Sequence, residues 1–302
     1  MLDIKLSTLL SVAENRNFTK AAKELSLTQP AVSQHISALE KELGAKLFIR
    51  NKGEFMPTPE GEIAIKYAKR LRAMYDKMLR EIKNKEKNIT RLRVGITHTA
   101  ESNVITRVLA KYGASNKNVS ITVITDTIKN LYDMLNNYEL DMAVAEGRMP
   151  DSRLSHLMLD TDYLMCVVSN DNRLARQSMV TLAQLKNEQM ILRLPSSATR
   201  QLFEATLTSV NENINDFNIL LEVDNIATIK DLVRRDMGIS ILPRSACQSD
   251  IRNGRLTALP IENLSMVREM NIIYTKDFNH PEILQEMVNI YHEIQRKYVS
   301  GN

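Results

Sequence analysis

Along the first sixty residues, apolar positions recur at helical intervals. Leu2, Leu6, Leu9, Leu10 and Ala13 share one face of a first helix. Thr19, just after Phe18, reads as the N-cap of a short second helix whose apolar side is Ala21, Ala22 and Leu25. Ser26-Leu27-Thr28 is a tight connection. Thr28 caps a third helix with Gln29 and Pro30 in its first turn, where proline's missing N–H is harmless. Val32, Ile36, Leu39 and Leu43 are expected to face inward from this helix. Pro30, Gln34, Ser37 and Lys41 face outward, with Gln29 and Ser33 on the flank. Leu47 to Phe55 reads as a small hairpin.

The pattern then lengthens. Thr58-Pro59-Glu60 combines an N-cap, a proline at the first helical position and an early acid, a strong helix start. Up to about Lys87 only Gly61 interrupts. Ile63, Tyr67, Leu71, Met74, Met78 and Ile82 recur at spacings of four, four, three, four and four, a coiled-coil stripe. Such a stripe packs on the chain's own domain or on a second copy, and little neighbouring sequence is available to cover it, which favours the second copy. Lys66, Lys69, Arg70 and Arg72 make a basic, solvated face.

From Arg91 onward short apolar runs alternate with helical patterns. Leu92 to Ile96, Val119 to Thr125, Leu140 to Ala145, Tyr163 to Val168, Gln189 to Arg193, Ile219 to Val223, Gly238 to Leu242 and Met270 to Tyr274 read as strands. Helices are expected at 101–113, 127–137, 199–211, 226–236 and 281–298. This alternation predicts α/β sheets. The dinucleotide fingerprint and the P-loop are both missing from it.

Composition narrows the function classes. At 43% hydrophobic and 25% charged, a chain of 302 residues has material for two or three ordinary domain cores. Its apolar runs fall well short of the ~18 residues of a membrane span. Asp3 and Lys5 make the start unlike a signal peptide, so the cytoplasm is the expected compartment and no membrane partner is expected. Residues 1–90 carry 17 Lys/Arg against 11 Asp/Glu, whereas residues 91–302 carry 23 against 25. A basic front suits a polyanion, although a solvated helix surface would carry the same charge. Histidines 35, 98, 156, 280 and 292 are dispersed without metal-ligand spacing, and no Gly-x-Ser-x-Gly turn occurs. Neither an enzyme nor a metal or other cofactor is expected. Cys166 lies in an apolar strand and Cys247 on a helix, too far apart in sequence for a disulfide framework; a redox role for the pair is the minor alternative.

The exposed face of the third helix is chemically unusual. A solvated face normally carries long charged side chains, but this one offers short hydroxyls and amides. Gln bonds adenine in bidentate fashion, and Ser bonds a base or a phosphate. Two helices joined by a short turn, the second presenting such a face, form a helix-turn-helix. The run Phe18-Thr19-Lys20-Ala21-Ala22-Lys23-Glu24-Leu25, then Thr28-Gln29-Pro30-Ala31-Val32-Ser33-Gln34-His35-Ile36, Leu39-Glu40-Lys41-Glu42-Leu43-Gly44, Leu47-Phe48-Ile49-Arg50 and Thr58-Pro59-Glu60-Gly61 closely resembles the LysR-type transcriptional regulators. The likeness is most specific over residues 2–65 and continues more weakly to the C-terminus.

That resemblance implies an α/β multidomain chain. It comprises a winged helix-turn-helix (1–58), a linker and dimerisation helix (59–88), and a periplasmic-binding-protein-like effector domain (91–302). The effector domain would hold two α/β subdomains, 91–162 with 268–302 and 163–267, linked by crossings near Thr161–Leu164 and Ser265–Arg268. Gln29, Pro30, Ser33 and Gln34 are then the base-reading candidates. Thr28 and Ser37 are phosphate contacts that set register. Arg50 is where the family keeps a basic residue for the DNA backbone. The wing tip departs from the family: Asn51-Lys52-Gly53-Glu54 stands where further arginines are usual, leaving Lys52 to take the backbone role and Glu54 to oppose it.

Ligands of open α/β sheets sit beyond the carboxyl ends of strands, facing helix N-termini. Thr97-His98-Thr99, Thr125-Asp126-Thr127, Ser196-Ser197-Ala198-Thr199-Arg200 and Asp224-Asn225 all have that form. The effector-binding candidates are therefore Thr97, His98, Thr99, Thr127, Ser197, Thr199 and Asn225, with simple helix capping as the competing role for each. Helix N-termini favour a small anionic metabolite. The expected partners are double-stranded DNA with an interrupted palindrome, a second copy giving a dimer that pairs again into a tetramer through the rear domains, and RNA polymerase. Effector binding would close the cleft, change the DNA bend and so change polymerase recruitment.

Overall fold

The computed structural model describes residues 3–51, 54–87, 90–101, 104–278 and 280–299. The chain divides into a first unit, Met1–Ile89 with Asn136–Glu139, and a second built from Thr90–Leu135 and Leu140–Asn302.

The first unit runs α1 (Ile4–Asn15), α2 (Phe18–Glu24), α3 (Gln29–Leu43), the hairpin strands β1 (Phe48–Asn51) and β2 (Glu54–Pro57), and α4 (Pro59–Lys87). Leu9, Leu10, Val12, Ala21, Ala22, Val32, Ile36, Leu39, Leu47 and Ala68 form its core. Two expectations need correction. Asn17, not Thr19, caps α2: its Oδ1 accepts from the N–H groups of Thr19 (2.8 Å) and Lys20 (3.0 Å), its own backbone being extended. Phe18 therefore lies inside the helix and packs edge-on against Phe48 and Phe55. Leu43 is half exposed, because α3 ends at Gly44 in the left-handed conformation (φ 66°) and the chain turns back to bury Leu47 instead. Between α2 and α3 the chain turns at Ser26, itself left-handed (φ 56°). Thr58 starts α4 as expected. Its Oγ1 accepts from Gly61 N–H (2.9 Å) and donates to the Lys46 carbonyl (2.6 Å).

The second unit is a two-lobed α/β structure. Its elements are β3 (Thr90–Ile96), α5 (His98–Glu101), α6 (Ile105–Ser115), β4 (Val119–Thr125), α7 (Ile128–Asn136), β5 (Met142–Glu146), β6 (Leu154–Ser169), α8 (Leu182–Lys186), β7 (Gln189–Arg193), α9 (Ala198–Ser209), β8 (Asn218–Val223), α10 (Ile226–Arg234), β9 (Ser240–Pro243), α11 (Arg244–Arg252), β10 (Leu256–Leu259), β11 (Val267–Thr275) and α12 (Pro281–Val299). In the first lobe β3 pairs in parallel with β4 and β5, β5 pairs antiparallel with β11, and β11 antiparallel with β6. Helices α6 and α12 cover one side, burying Val108, Leu109, Tyr112, Met287, Ile290 and Tyr291.

β6 links the lobes. Residues 154–163 pair with β11, whereas Leu164 onward pairs with β9 and, from Cys166, with β10. The parallel pair β7–β8 joins the second lobe through the bridge between Met190 and Ile239. The sequence pattern showed only the second half of β6. Its first half carries Ser155, His156, Asp160, Thr161 and Asp162, which break the apolar run. The single helix expected at 101–113 is instead α5 and α6, and β10 and α8 were not anticipated.

Candidate DNA-reading face and effector cleft

The first residues of α3 stand on a rigid support. Thr28 Oγ1 caps the helix by accepting from Ala31 N–H at 3.4 Å. His35 Nδ1 and Thr8 Oγ1 share a 3.0 Å hydrogen bond that ties α3 to α1. At the far end, Glu40 accepts from Leu47 N–H (2.9 Å) and Lys46 Nζ (2.6 Å), fixing α3 to the hairpin. The Phe48 and Phe55 rings stack across that hairpin at 4.8 Å. Glu40 and His35 lie within the motif quoted above, but their anchoring roles appear only in three dimensions.

On this support Thr28, Gln29, Pro30, Gln34 and Ser37 are exposed and Ser33 is half-buried. The side chains of Gln29, Ser33, Gln34 and Ser37 make no hydrogen bond among the described residues, so their polar groups remain available to an outside partner. Arg50 lies on β1 opposite Phe55, its side chain outside the described atoms, and Lys52 lies outside the described residues. Along α4 every member of the apolar stripe is exposed, from 46% for Met78 to 59% for Ile63.

The effector candidates occupy the helix starts anticipated for them. Thr97 is buried; its Oγ1 accepts from Ala100 N–H (3.1 Å) and donates to Glu146 Oε2 (2.5 Å). His98 and Thr99 open α5, His98 half-buried and Thr99 buried. Ser197 Oγ caps α9 at Arg200 N–H (3.2 Å), and Asn225 Oδ1 caps α10 at Thr228 N–H (3.1 Å). Thr127 is exposed and caps α7 through Asn130 N–H (3.3 Å). Thr199 is buried and accepts from Arg268 Nη1 at 3.4 Å.

Four charged residues not singled out from the sequence connect these points. Arg268, at the start of β11, bonds Asp162 of β6 (3.2 Å) and lies 3.9 Å from Glu146 at the end of β5. Thr97 and Thr199, on different lobes, are thereby joined through Glu146 and Arg268. Asp162 also accepts from the N–H (3.2 Å) and Oγ (2.7 Å) of Ser245. Arg193, at the end of β7, bonds Asp224 beside Asn225 (3.0 Å). Burial pulls the Arg193 guanidinium pKa below its usual value, against the opposing pull of Asp224 and Glu146. The one available sequence cue was a charge closing an apolar strand, as in Met190-Ile191-Leu192-Arg193. Thr127 has no bond to this cluster among the described residues. Arg148 instead pairs with Glu269 at 2.7 Å.

Both cysteines are free and buried. Burial pushes the Cys166 thiol far above its usual range and the Cys247 thiol up to about 12, so both stay protonated and weakly nucleophilic. Among the described residues no cluster of His, Cys, Asp or Glu is arranged to hold a metal, and no helix is long and apolar enough to cross a membrane.

A helix-turn-helix with a wing, a long helix and a two-lobed α/β unit together define a DNA-binding regulator with an effector-binding domain, not an enzyme. Residues 5–62 match the bacterial regulatory helix-turn-helix proteins of the lysR family, and residues 85–295 match the LysR substrate binding domain. The chain belongs to the LysR family of transcription regulators. The HTH-type transcriptional regulator CysL of Bacillus subtilis (strain 168) is 26% identical over 271 residues, covering 89% of this chain and 90% of CysL. The HTH-type transcriptional regulator CbbR of Rhodospirillum rubrum is 28% identical over 285 residues, covering 92% and 91%. Full-length CbnR, crystallised with its target DNA, has the same fold with a TM-score of 0.68 at 18% identity, over 97% of this chain and 99% of CbnR. The effector binding domain of QuiR in complex with shikimate gives a TM-score of 0.55 at 18% identity, over 69% of this chain and 98% of that domain.

Proposed function

We propose that this regulator reads an interrupted palindrome as a dimer and that a small anionic effector held between the lobes changes how it bends that DNA. The observation that carries the reading is the α3 face, where Gln29, Ser33, Gln34 and Ser37 have no internal hydrogen-bond partner among the described residues. Gln29, Pro30, Ser33 and Gln34 read base edges. Thr28, Ser37, Arg50 and Lys52 hold the DNA backbone. The exposed stripe on α4 pairs two copies, so that two recognition helices meet major grooves about 34–36 Å apart.

In the second unit, Thr97, His98, Thr99, Thr127, Ser197, Thr199 and Asn225 surround the effector, the helix starts and buried guanidinium groups favouring an anion. The two relatives captured with target DNA and with shikimate support the pairing of one DNA unit and one ligand unit in such a chain. A surface groove of about 510 Å³ between α6 and β4, with Val123 exposed along it, supports further pairing of the dimers into a tetramer. The ligand acts by binding one packing of the subunits better than another; without that difference it shifts nothing. RNA polymerase recruitment follows the bend.

The test is selection from a random DNA pool with the full chain, followed by bend measurement on the selected site. Two inverted half-sites spaced by about one helical turn are expected, with a bend that changes when a stabilising metabolite is added. Enrichment of a single half-site would overturn the dimeric reading. An identical footprint and bend with every metabolite that binds the protein would overturn the effector coupling.

A further inference from the structure

Buried polar groups between the two lobes narrow the chemistry of the effector. Arg193 is 3% exposed; its Nη2 serves Asp224, but its Nε and Nη1 find no hydrogen-bond partner among the described residues. Arg268 gives Nη2 to Asp162 and Nη1 to Thr199, yet its Nε is likewise unpartnered. Glu146, 3% exposed, uses Oε2 for Thr97; its Oε1 faces Arg268 Nη2 at 3.9 Å, beyond hydrogen-bond range, and has no hydrogen bond among the described residues. Three donors and one acceptor are thus left over, contributed by the carboxyl ends of β5 and β7 and by the crossing strand β11.

A buried guanidinium with unmade hydrogen bonds is costly, and an incoming anion removes that cost. Arg200 provides the contrast. It is equally buried, but its Nε bonds Glu204 (2.5 Å), its Nη1 lies 3.2 Å from Glu222, and among the described residues it leaves no buried nitrogen without a partner. A simple anion would satisfy the arginines while leaving Glu146 Oε1 without a donor and adding negative charge beside it. A ligand that carries its own donor next to the anionic group satisfies both.

We propose, building on the effector reading above, that the ligand is a small hydroxy- or amino-carboxylate. Its carboxylate takes the free N–H groups of Arg193 and Arg268, and its hydroxyl or amine donates to Glu146 Oε1. The ligand then bridges the lobes, because Glu146 belongs to the first and Arg193 to the second.

The experiment is calorimetry and thermal shift on the full-length protein, at constant ionic strength, with matched probes. Lactate, malate, serine and 3-hydroxybenzoate are set against propionate, succinate and benzoate, with sulfate as the simple anion. At least one donor-bearing acid is expected to bind about tenfold more tightly than its stripped counterpart. Glu146→Gln should remove that tenfold advantage. Arg193→Met should abolish binding of both kinds, with Arg193→Lys retaining part of it and guarding against a variant that fails to fold. Far-UV circular dichroism should stay unchanged in the folded variants. Sulfate binding as tightly as every donor-bearing acid, or no donor-bearing acid outbinding its stripped counterpart, overturns the proposal, as does tight binding unaffected by both Glu146→Gln and Arg193→Met, or no binding by any probe. Those results leave the broader effector reading standing; that reading fails separately, on an unchanged footprint and bend.

Discussion

Gln29 and Gln34 are exposed amides on a helix start held by Thr28 and braced by His35 against α1, so their geometry is set before DNA arrives. Replacing Gln29 by Ala should cost about 1–3 kcal/mol at one base pair and leave random DNA binding unchanged. Competition binding on single-base variants of the selected site measures this, and equal losses on specific and random DNA would remove Gln29 from the readout. Chemistry is also set by burial at Cys166 and Cys247. With both thiols protonated inside the second lobe, a thiol reagent should label neither in the native protein and both after denaturation. Rapid native labelling at neutral pH would reopen the redox role.

At the scale of elements, the start of α4 shows how one junction serves two structures. Thr58 caps the helix and also holds the Lys46 carbonyl, which leads into the wing. Thr58→Ala should cost about 1–2 kcal/mol, the upper part of the capping range, since both bonds are lost. Gly61, three residues on, sits against the Leu47 backbone so closely that an added Cβ would overlap its carbonyl oxygen. Helix propensity favours Ala over Gly by about 1 kcal/mol. The clash should nevertheless win, so Gly61→Ala is expected to destabilise the first unit by roughly 1–3 kcal/mol and weaken DNA binding. Thermal denaturation followed alongside DNA binding checks both variants; a stabilised Gly61→Ala would mean that the helix and wing are not packed as described.

At the scale of the molecule, the proposed reading of a palindrome requires two copies, and the α4 stripe is the surface proposed to supply them. Ile63, Tyr67, Leu71, Met74, Met78 and Ile82 expose 46–59% of their surface, a continuous apolar band along one helix. Leu71→Glu places a charge in the middle of that band. Sedimentation should then show monomer. Affinity for the two-half-site DNA should fall about 10²-fold as bivalent binding is lost, while affinity for one half-site changes little. An unchanged dimer would move the interface to another surface, such as the α6–β4 groove.

Local pattern carried much of this architecture. Periodicity marks which side of a helix is apolar, and capping chemistry depends on neighbours within three or four residues, so α3, the Thr58 start, the α4 stripe and the parallel strands β3, β4 and β7 were legible in the chain. The same locality explains the misses. Leu43 continues the apolar face of α3, yet the turn at Gly44 brings Leu47 into its place, a contest that periodicity does not register. The first half of β6 looked too polar for a strand because Ser155, His156, Asp160, Thr161 and Asp162 break its apolar run; what makes it a strand is pairing with β11, more than a hundred residues further on. The proposed effector site is the extreme case. Thr97 and Thr199 could be suspected as helix starts, but the charges that join them could not. Arg268 meets Thr199 across 69 residues of chain and Asp162 across 106, and no local pattern encodes which buried charge finds a partner. That choice is made by the tertiary fold: sheet order sets β5 beside β11, and packing of the separate β7–β8 pair brings Arg193 close enough to feel Glu146 and Arg268.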